Sequence, residues 1–381
     1  MFARRLNELR LTIELRPAEL LLVKEGRHRE GDDKTRRVYH RDDHVVRNPP
    51  RPRLRDSRGY GDYDTDDGCF NMAFVFSHTA SGEGRFYLPG SSLRGVLRSA
   101  AERVVGRWRP DLLSDPFLRE GEWQHPLAGS DLFLRKNRND RVDGPTYYRH
   151  ALPIERCFGH TALRGRWTIS DALMCATEGA QLPNEPEQFR RGQARMEVRD
   201  SVGIDRHTGA ARNQVKYQFE ALSGGVFVTT LTLVNYERWQ PGLLAHALAA
   251  IDGGSVRIGY GTRRGLGRVR LAVKAMRWRW YGAAPRREGA LTALPALGDL
   301  AARAGIDDDY GWQEPQADGT ALALDVHPGL FGWEASITPQ AAARDSAEAT
   351  SWPAAPWPAL ASALPPALIG WWKREEVLRD R

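Results

Sequence analysis

The stretch FYLPGSSLRGVLRSAAERVVGRW, Phe86 to Trp108, decides how the chain is read. Pro89-Gly90 marks a turn, after which Ser91 or Ser92 can cap a helix by accepting an orphan N–H of its first turn. Apolar residues at Leu93, Val96, Leu97, Ala100 and Val104 recur at helical spacing and predict a helix over Ser92–Val105 with one face in a core. Two hydroxyls, free backbone N–H groups and Arg94 at the positive helix end make a physically sound anion site. A core helix whose serines serve only its own first turn fits these residues as well.

Outward from this helix, Leu11–Val23 (LTIELRPAELLLV) alternates apolar and polar residues and then becomes wholly apolar, an opening strand buried at its far end. Residues 27–67 hold 11 basic and 10 acidic side chains with few apolar ones. Such a segment buries too little surface to offset its ordering entropy and is expected to be a mobile insertion. Order is expected to resume around Cys69–Phe76. Downstream, 110–149 is loop-rich, Leu163–Ala172 reads as a strand, and 194–222 as a long β-hairpin with the tip IDRHTGAARNQ. Gly225–Asn235 is a strand, Pro241–Ile251 a short apolar helix, Val256–Ile258 a short strand and Arg268–Trp280 a strongly alternating one.

Strand, helix, strand, strand, helix, strand is the ferredoxin-like (RRM-like) α+β pattern, an antiparallel sheet with two helices on one face. Residues 1–282 are assigned to this domain, with 27–67 and the 194–222 hairpin as insertions. Residues 283–381 form an Ala/Pro/Trp-rich C-terminal extension carrying half of the tryptophans, expected to pack on the body or on a partner.

The 381 residues carry net charge +7, and 49 of the 55 basic side chains are arginine, the side chain best shaped for phosphate. The extension has 8 basic and 14 acidic residues, so the body is strongly basic and suited to a polyanion partner. No apolar run approaches the ~18 residues of a membrane span, and MFARRLNELRLTIELR has no hydrophobic signal core, which predicts a soluble cytoplasmic protein without a membrane partner. Three cysteines without CxxC spacing form neither a disulfide framework nor a zinc finger. HExxH, GxSxG and GxxxxGK[ST] motifs are absent, which removes the usual support for hydrolase and nucleotidase readings.

Residues 259–267, GYGTRRGLG, lack the following helix of a dinucleotide fingerprint, because strand-like RVRLAV comes next. A glycine loop bearing Arg263 and Arg264 lets a nucleic-acid backbone approach closely; a flexible turn is the plain alternative. The hairpin tip sets small residues, Thr208 to Ala211, between Arg206 and Arg212 and can pass between bases, or is an ordinary solvated hairpin. Asp62, Asp64, Asp66 and Asp67 are candidate oxygen ligands for a divalent metal, or solvated charge. Cys157 and His160 in CFGH lack a second ligand pair and read as core and loop.

The segments LPGSSLRGVLRSAAERV, CFGHTALRGRWTISDA, VGIDRHTGAARNQVKYQFEAL and IGYGTRRGLGRVRL, in this order, closely resemble the RAMP superfamily over roughly Leu11 to Trp280, in particular the backbone subunits of type III CRISPR effector complexes. The resemblance implies a ferredoxin-like palm, a thumb-like hairpin, a guide CRISPR RNA, complementary target RNA, and other CRISPR effector subunits as partners. It assigns RNA contacts to Ser91, Ser92, Arg94, Arg98, Gly261, Arg263 and Arg264, and thumb contacts to Arg206, Thr208 and Arg212. Members that cut target RNA carry an aspartate upstream of PGSSLRG. Here the counterpart is Asn71, an amide that cannot act as a base, so either the chain does not cut or one of the catalytic candidates Asp62, Asp64, Asp66 and Asp67 takes the role, with Mg²⁺ or Mn²⁺ as the metal of any cleavage. Stand-alone processing of CRISPR transcripts, with His28, His40 or His44 as candidates, and generic single-stranded RNA binding are the alternative functions.

Overall fold

The computed structural model describes residues 4–24, 74–78, 84–115, 117–119, 122, 125, 127–130, 142–175, 196–282, 289–291, 294–306, 310–312, 324–338, 360–362, 364–369 and 371. The 27–67 insertion, Cys69 and Asn71 lie outside them. The first half contains β1 (Asn7–Pro17), β2 (Phe76–His78), β3 (Gly84–Leu88), α1 (Gly90–Trp108), α2 (Gly144–His150), α3 (Pro153–Phe158), β4 (Gly159–His160), β5 (Leu163–Arg164), β6 (Trp167–Ile169) and β7 (Ala172–Cys175). The second half adds β8 (Met196–Ile204), β9 (Ala211–Leu222), β10 (Val226–Val234), α4 (Trp239–Asp252), β11 (Val269–Tyr281), β12 (Gly289–Leu291), α5 (Leu297–Arg303), β13 (Leu324–Gly329), β14 (Gly332–Ile337) and α6 (Leu364–Ile369).

The main sheet runs β12-β13-β14-β11-β1-β10-β7-β3-β2, with β6 also paired to β10. Strand β1 is antiparallel to both neighbours, with Leu9 opposite Leu233 on β10 and opposite Trp278 on β11. Its alternation explains the layer beneath it: Leu9, Leu11, Ile13 and Leu15 are buried while Arg10 is exposed. Helix α1 packs there through Leu93, Leu97, Ala100, Ala101 and Val105, and α4 through Leu243, Leu244, Ala247, Leu248 and Ile251. The result is a mixed α+β architecture with a mainly antiparallel sheet.

Three expectations change. The opening strand spans Asn7–Pro17 instead of Leu11–Val23, since Pro17 cannot donate to a ladder. Leu20–Val23 then form an arch, buried from Leu21 on and held by Leu21 N–H to Leu222 O at 2.8 Å. Leu163–Ala172 is not one strand but breaks into β5, β6 and the start of β7, where Gly165 lies against the Phe158 backbone and Ser170 turns to bond Thr230 O. Val256–Ile258 is not a strand; its Ile258 N–H makes one bond, to Gly267 O.

The extension joins the same sheet. β14 pairs with β11 from Met276↔Ile337 to Tyr281↔Gly332, and β13 and β12 follow. Trp371 meets Trp239 of α4 edge to face at 5.2 Å, and Trp312 packs on Tyr148 of α2 at 5.5 Å. These two tryptophans of the extension therefore pack on the chain's own body.

A buried ionic cluster ties the pieces together. Arg156 and Glu237, both with fully buried side chains, pair at 3.0 Å, and Arg156 also donates to Gly311 O at 3.1 Å. Arg166 donates to Asn235 O at 2.7 Å. Both guanidiniums lie 4.5 Å from the Tyr148 ring centre, and the Tyr148 hydroxyl donates to Glu237. Burial, then the Glu237 charge, pushes the Tyr148 hydroxyl far above its ordinary range, so it stays a donor. Glu237→Ala should leave buried cations unpaired and cost about 3–5 kcal/mol in urea unfolding, whereas Arg156→Met with Glu237→Leu should cost much less. An unchanged midpoint for Glu237→Ala would show the cluster to be dispensable.

Candidate nucleic-acid interface

One face of α1 reaches the surface as Ser92, Gly95, Val96, Ser99 and Arg103, spaced three and four residues apart. Opposite stand Ser255, Val256, Arg257, Gly259, Tyr260, Thr262 and Arg263, with Val23 and Lys24 completing a cavity of about 700 Å³. Its charged lining residues are Lys24, Arg103, Arg257 and Arg263, all cationic. Gly95 leaves open space where a side chain would stand, so the floor along α1 is low.

Backbone contacts that only glycine permits hold the opposite wall. Gly259 and Gly267 both have φ +87, and a Cβ would meet Leu22 O at 2.2 Å and Ile258 O at 2.1 Å respectively. The closeness allows Tyr260 N–H to Leu22 O at 2.7 Å and Gly267 N–H to Leu20 O at 2.8 Å. Between these points Thr262–Arg264 makes a single 3₁₀ turn that presents Arg263, exposed and without a hydrogen bond or ion pair among the described residues. Arg103 donates to Ser255 O at 2.7 Å, and Arg257 pairs with Glu19 and donates to Gly265 O at 2.8 Å. Tyr260 lies 5.1 Å from the Arg264 guanidinium and 5.9 Å from Lys24 Nζ.

The helix start differs from the expected cap. Ser91 and Ser92 lie inside the first turn, and neither caps it; the cap position is Pro89. Asp171, between β6 and β7, accepts the Gly90 N–H at 2.6 Å. The turn packs so closely on Ile169 that a Cβ at Gly90 would sit 2.6 Å from its carbonyl oxygen, which leaves a distant carboxylate to satisfy the orphan donor. Ser92 and Arg263 thus face one cavity, with Gly261 between lining residues of the loop. Ser91, Arg94 and Arg98 are not among its lining: Arg94 donates to Phe158 O, and Arg98 pairs with Glu102 at 2.8 Å. Helical projection from Ser92 would have found Ser99 and Arg103. Lys24 enters through the Leu20–Val23 arch, and no local signal points to it.

The β8–β9 hairpin runs from Met196↔Leu222 to Ile204↔Ala211. Asp205 builds its tip, accepting His207 N–H and Thr208 N–H at 2.9 Å each and the Thr208 hydroxyl at 3.2 Å. The Thr208 hydroxyl also accepts Ala210 N–H at 3.3 Å. Arg206 is exposed beside this turn, Arg212 follows Ala211 on β9, and Val202 and Ile204 are exposed on β8. Asp62, Asp64, Asp66, Asp67, His28, His40 and His44 lie outside the described residues, among which no group of three or more His, Cys, Asp or Glu could hold a metal. Burial pushes the Cys157 thiol up, making it inert, and His160 contacts the Ser130 hydroxyl at 3.3 Å.

A family model described as "RAMPs: RAMP superfamily" matches residues 77–270, which span α1, the hairpin and the glycine loop. Among solved structures, a chain titled "Type IV-B CRISPR Complex" is similar at 15% identity and TM-score 0.40, covering 76% of this chain and 96% of that one. No curated protein matches this chain. Among the described residues no helix is long and apolar enough to cross a membrane.

The Thr208 and His207 backbone N–H groups hold the Asp205 carboxyl below its ordinary value. Order that depends on an ionised, depressed carboxylate is present above its unfolded pKa and lost as pH falls through the lower folded one. Protection of the His207 and Thr208 amides, relative to intrinsic exchange at each pH, should therefore fall on acidification below about pH 4, and Asp205→Ala should show that low protection at neutral pH. Exchange in the variant matching wild type at neutral pH would contradict the assignment.

Proposed function

Because the chain belongs to the RAMP superfamily, we propose that it is a guide-RNA-binding backbone subunit of a type III CRISPR effector complex, holding guide CRISPR RNA and its target RNA beside other effector subunits. The observation that carries this reading is the cavity between α1 and the glycine loop, whose charged lining is entirely cationic. Cations and free backbone suit sequence-independent phosphate contact, as required where base pairing reads the sequence. The type III assignment is supported by the order of the four sequence segments. The strand order β11-β1-β10-β7 supports the ferredoxin-like palm, as does the way Leu93 and Leu97 of α1 and Leu248 and Ile251 of α4 line one space against Ile13, Leu231 and Leu271. A projecting hairpin with exposed Val202 and Ile204 supports the thumb, since apolar wedges part stacked bases.

Sequencing RNA that co-purifies with the native complex tests the role: uniform guides with a repeat-derived end support it, and absence of such guides contradicts it. Complementary labelled RNA with Mg²⁺ or Mn²⁺ then tests cutting. Regularly spaced products abolished by one of Asp62→Ala, Asp64→Ala, Asp66→Ala or Asp67→Ala assign cleavage to this chain; intact bound target makes it a scaffold. For the groove itself, Arg103→Ala with Arg263→Ala should weaken unrelated single-stranded RNAs alike and reduce the slope of log K against log salt by about 0.7 for each phosphate no longer neutralised. An unchanged slope and affinity would reject the groove.

A further inference from the structure

The other side of the sheet carries a charge pattern that the groove does not use. Leu9, Leu11, Ile13 and Leu15 turn into the core, so Glu8, Arg10, Thr12, Glu14 and Arg16 face the opposite way. Two cross-strand pairs on that face set arginine directly against arginine: Arg10↔Arg277 and Arg16↔Arg270. Like charges facing each other in an antiparallel ladder destabilise it.

Carboxylates on this face are few and already shared. Glu8, 2% exposed, serves Arg5 at 3.0 Å, Arg10 at 3.8 Å and Arg279 at 4.0 Å. Glu14, also 2% exposed, serves Arg16 at 2.5 Å and Lys274 at 3.2 Å. Arg10 keeps 49% exposure even so, and Arg277 is exposed with no hydrogen bond or ion pair among the described residues. Thr12 sits opposite Thr230, and Arg10 opposite Thr232, which sets hydroxyls beside the cations. Among the described residues, none of the exposed large hydrophobic side chains belongs to β1, β10 or β11. The face thus offers guanidinium forks and hydroxyls without the apolar anchors that protein partners favour. Of the second pair, Arg16 is held by Glu14 at 2.5 Å and Arg270 donates to Asp252 O of α4 at 3.4 Å, so the pair left to meet an anion is Arg10 and Arg277.

We propose that the β1–β11 face opposite the helices is a second phosphodiester-binding surface, taking the backbone of single-stranded RNA independently of the groove. It goes beyond the groove reading and stands apart from it in residues.

The test measures anisotropy of a labelled oligouridylate over a sodium chloride series with the full chain. It compares Arg10→Thr/Arg277→Thr with wild type, and repeats the pair in an Arg103→Glu/Arg263→Glu background. Removing these two cations should lower the salt slope by about 1.4 in both backgrounds, with residual binding in the groove-reversed protein removed by the threonine pair. The urea midpoint of the threonine pair should equal or exceed wild type, because the like-charge repulsion is gone. Should that pair fail to fold, Arg277→Glu, which sets an acid opposite Arg10, must show the same fall in slope. Unchanged affinity and slope would overturn the second surface, as would loss of poly-glutamate binding with RNA binding intact. Complete loss of binding on groove reversal alone would overturn it too. Groove reversal without effect, beside a clear effect of the threonine pair, would instead reject the groove and leave the second surface standing.

Discussion

The groove depends on one close backbone approach, the glycine loop lying on the Leu20–Leu22 arch. Tyr260 N–H reaches Leu22 O only because residue 259 has no Cβ, and Gly267, whose N–H reaches Leu20 O, lies where a Cβ would strike Ile258 O of the same loop. The same approach fixes where Lys24 emerges and how far Arg263 stands from α1, so the cationic wall and the helix floor belong to a single unit. Residues 20–24 and 255–267 are far apart in sequence, and the sheet brings them together: β1 leads into the arch, and β11 leaves the loop antiparallel to it.

Arginine plays three separable parts. Arg156 and Arg166 are buried and paired or bonded to carbonyls, where they join α3, the Glu237 loop and the extension. Arg94 and Arg109 bond backbone carbonyls at the two ends of α1, Arg109 reaching Leu368 O at 3.0 Å and so clamping the extension. Arg263 and Arg277 stand exposed with no hydrogen bond or ion pair among the described residues, free to meet an anion. Arginine content alone cannot separate these parts; the partners do.

Much of the architecture was legible because periodicity reports burial directly. The α1 stripe, the alternation of β11 and the two hairpin strands all appear within a residue or a few of their expected places. Breaks caused by tertiary packing were not legible. Gly165 and Ser170 divide the Leu163–Ala172 stretch where it meets Phe158 and Thr230, and Asp171 caps a helix 81 residues away, whereas Pro17, which ends β1, was a local signal in plain view. At the site, Ser92 and Arg263 were found from motif chemistry, whereas Arg103 required projection along a helix and Lys24 required the fold itself. Asp205, which shapes the hairpin tip, was hidden among residues read only as small or basic.

The central claim is that RNA lies between α1 and the glycine loop. Ultraviolet crosslinking of the native protein to single-stranded RNA, with the attached peptides located by mass spectrometry, tests it most directly. The expected result is crosslinked nucleotide on Ser92–Arg103 and on Arg257–Arg264, with Tyr260 a favoured position because its exposed ring lies in the cavity lining. RNA attached only outside these two segments would contradict it.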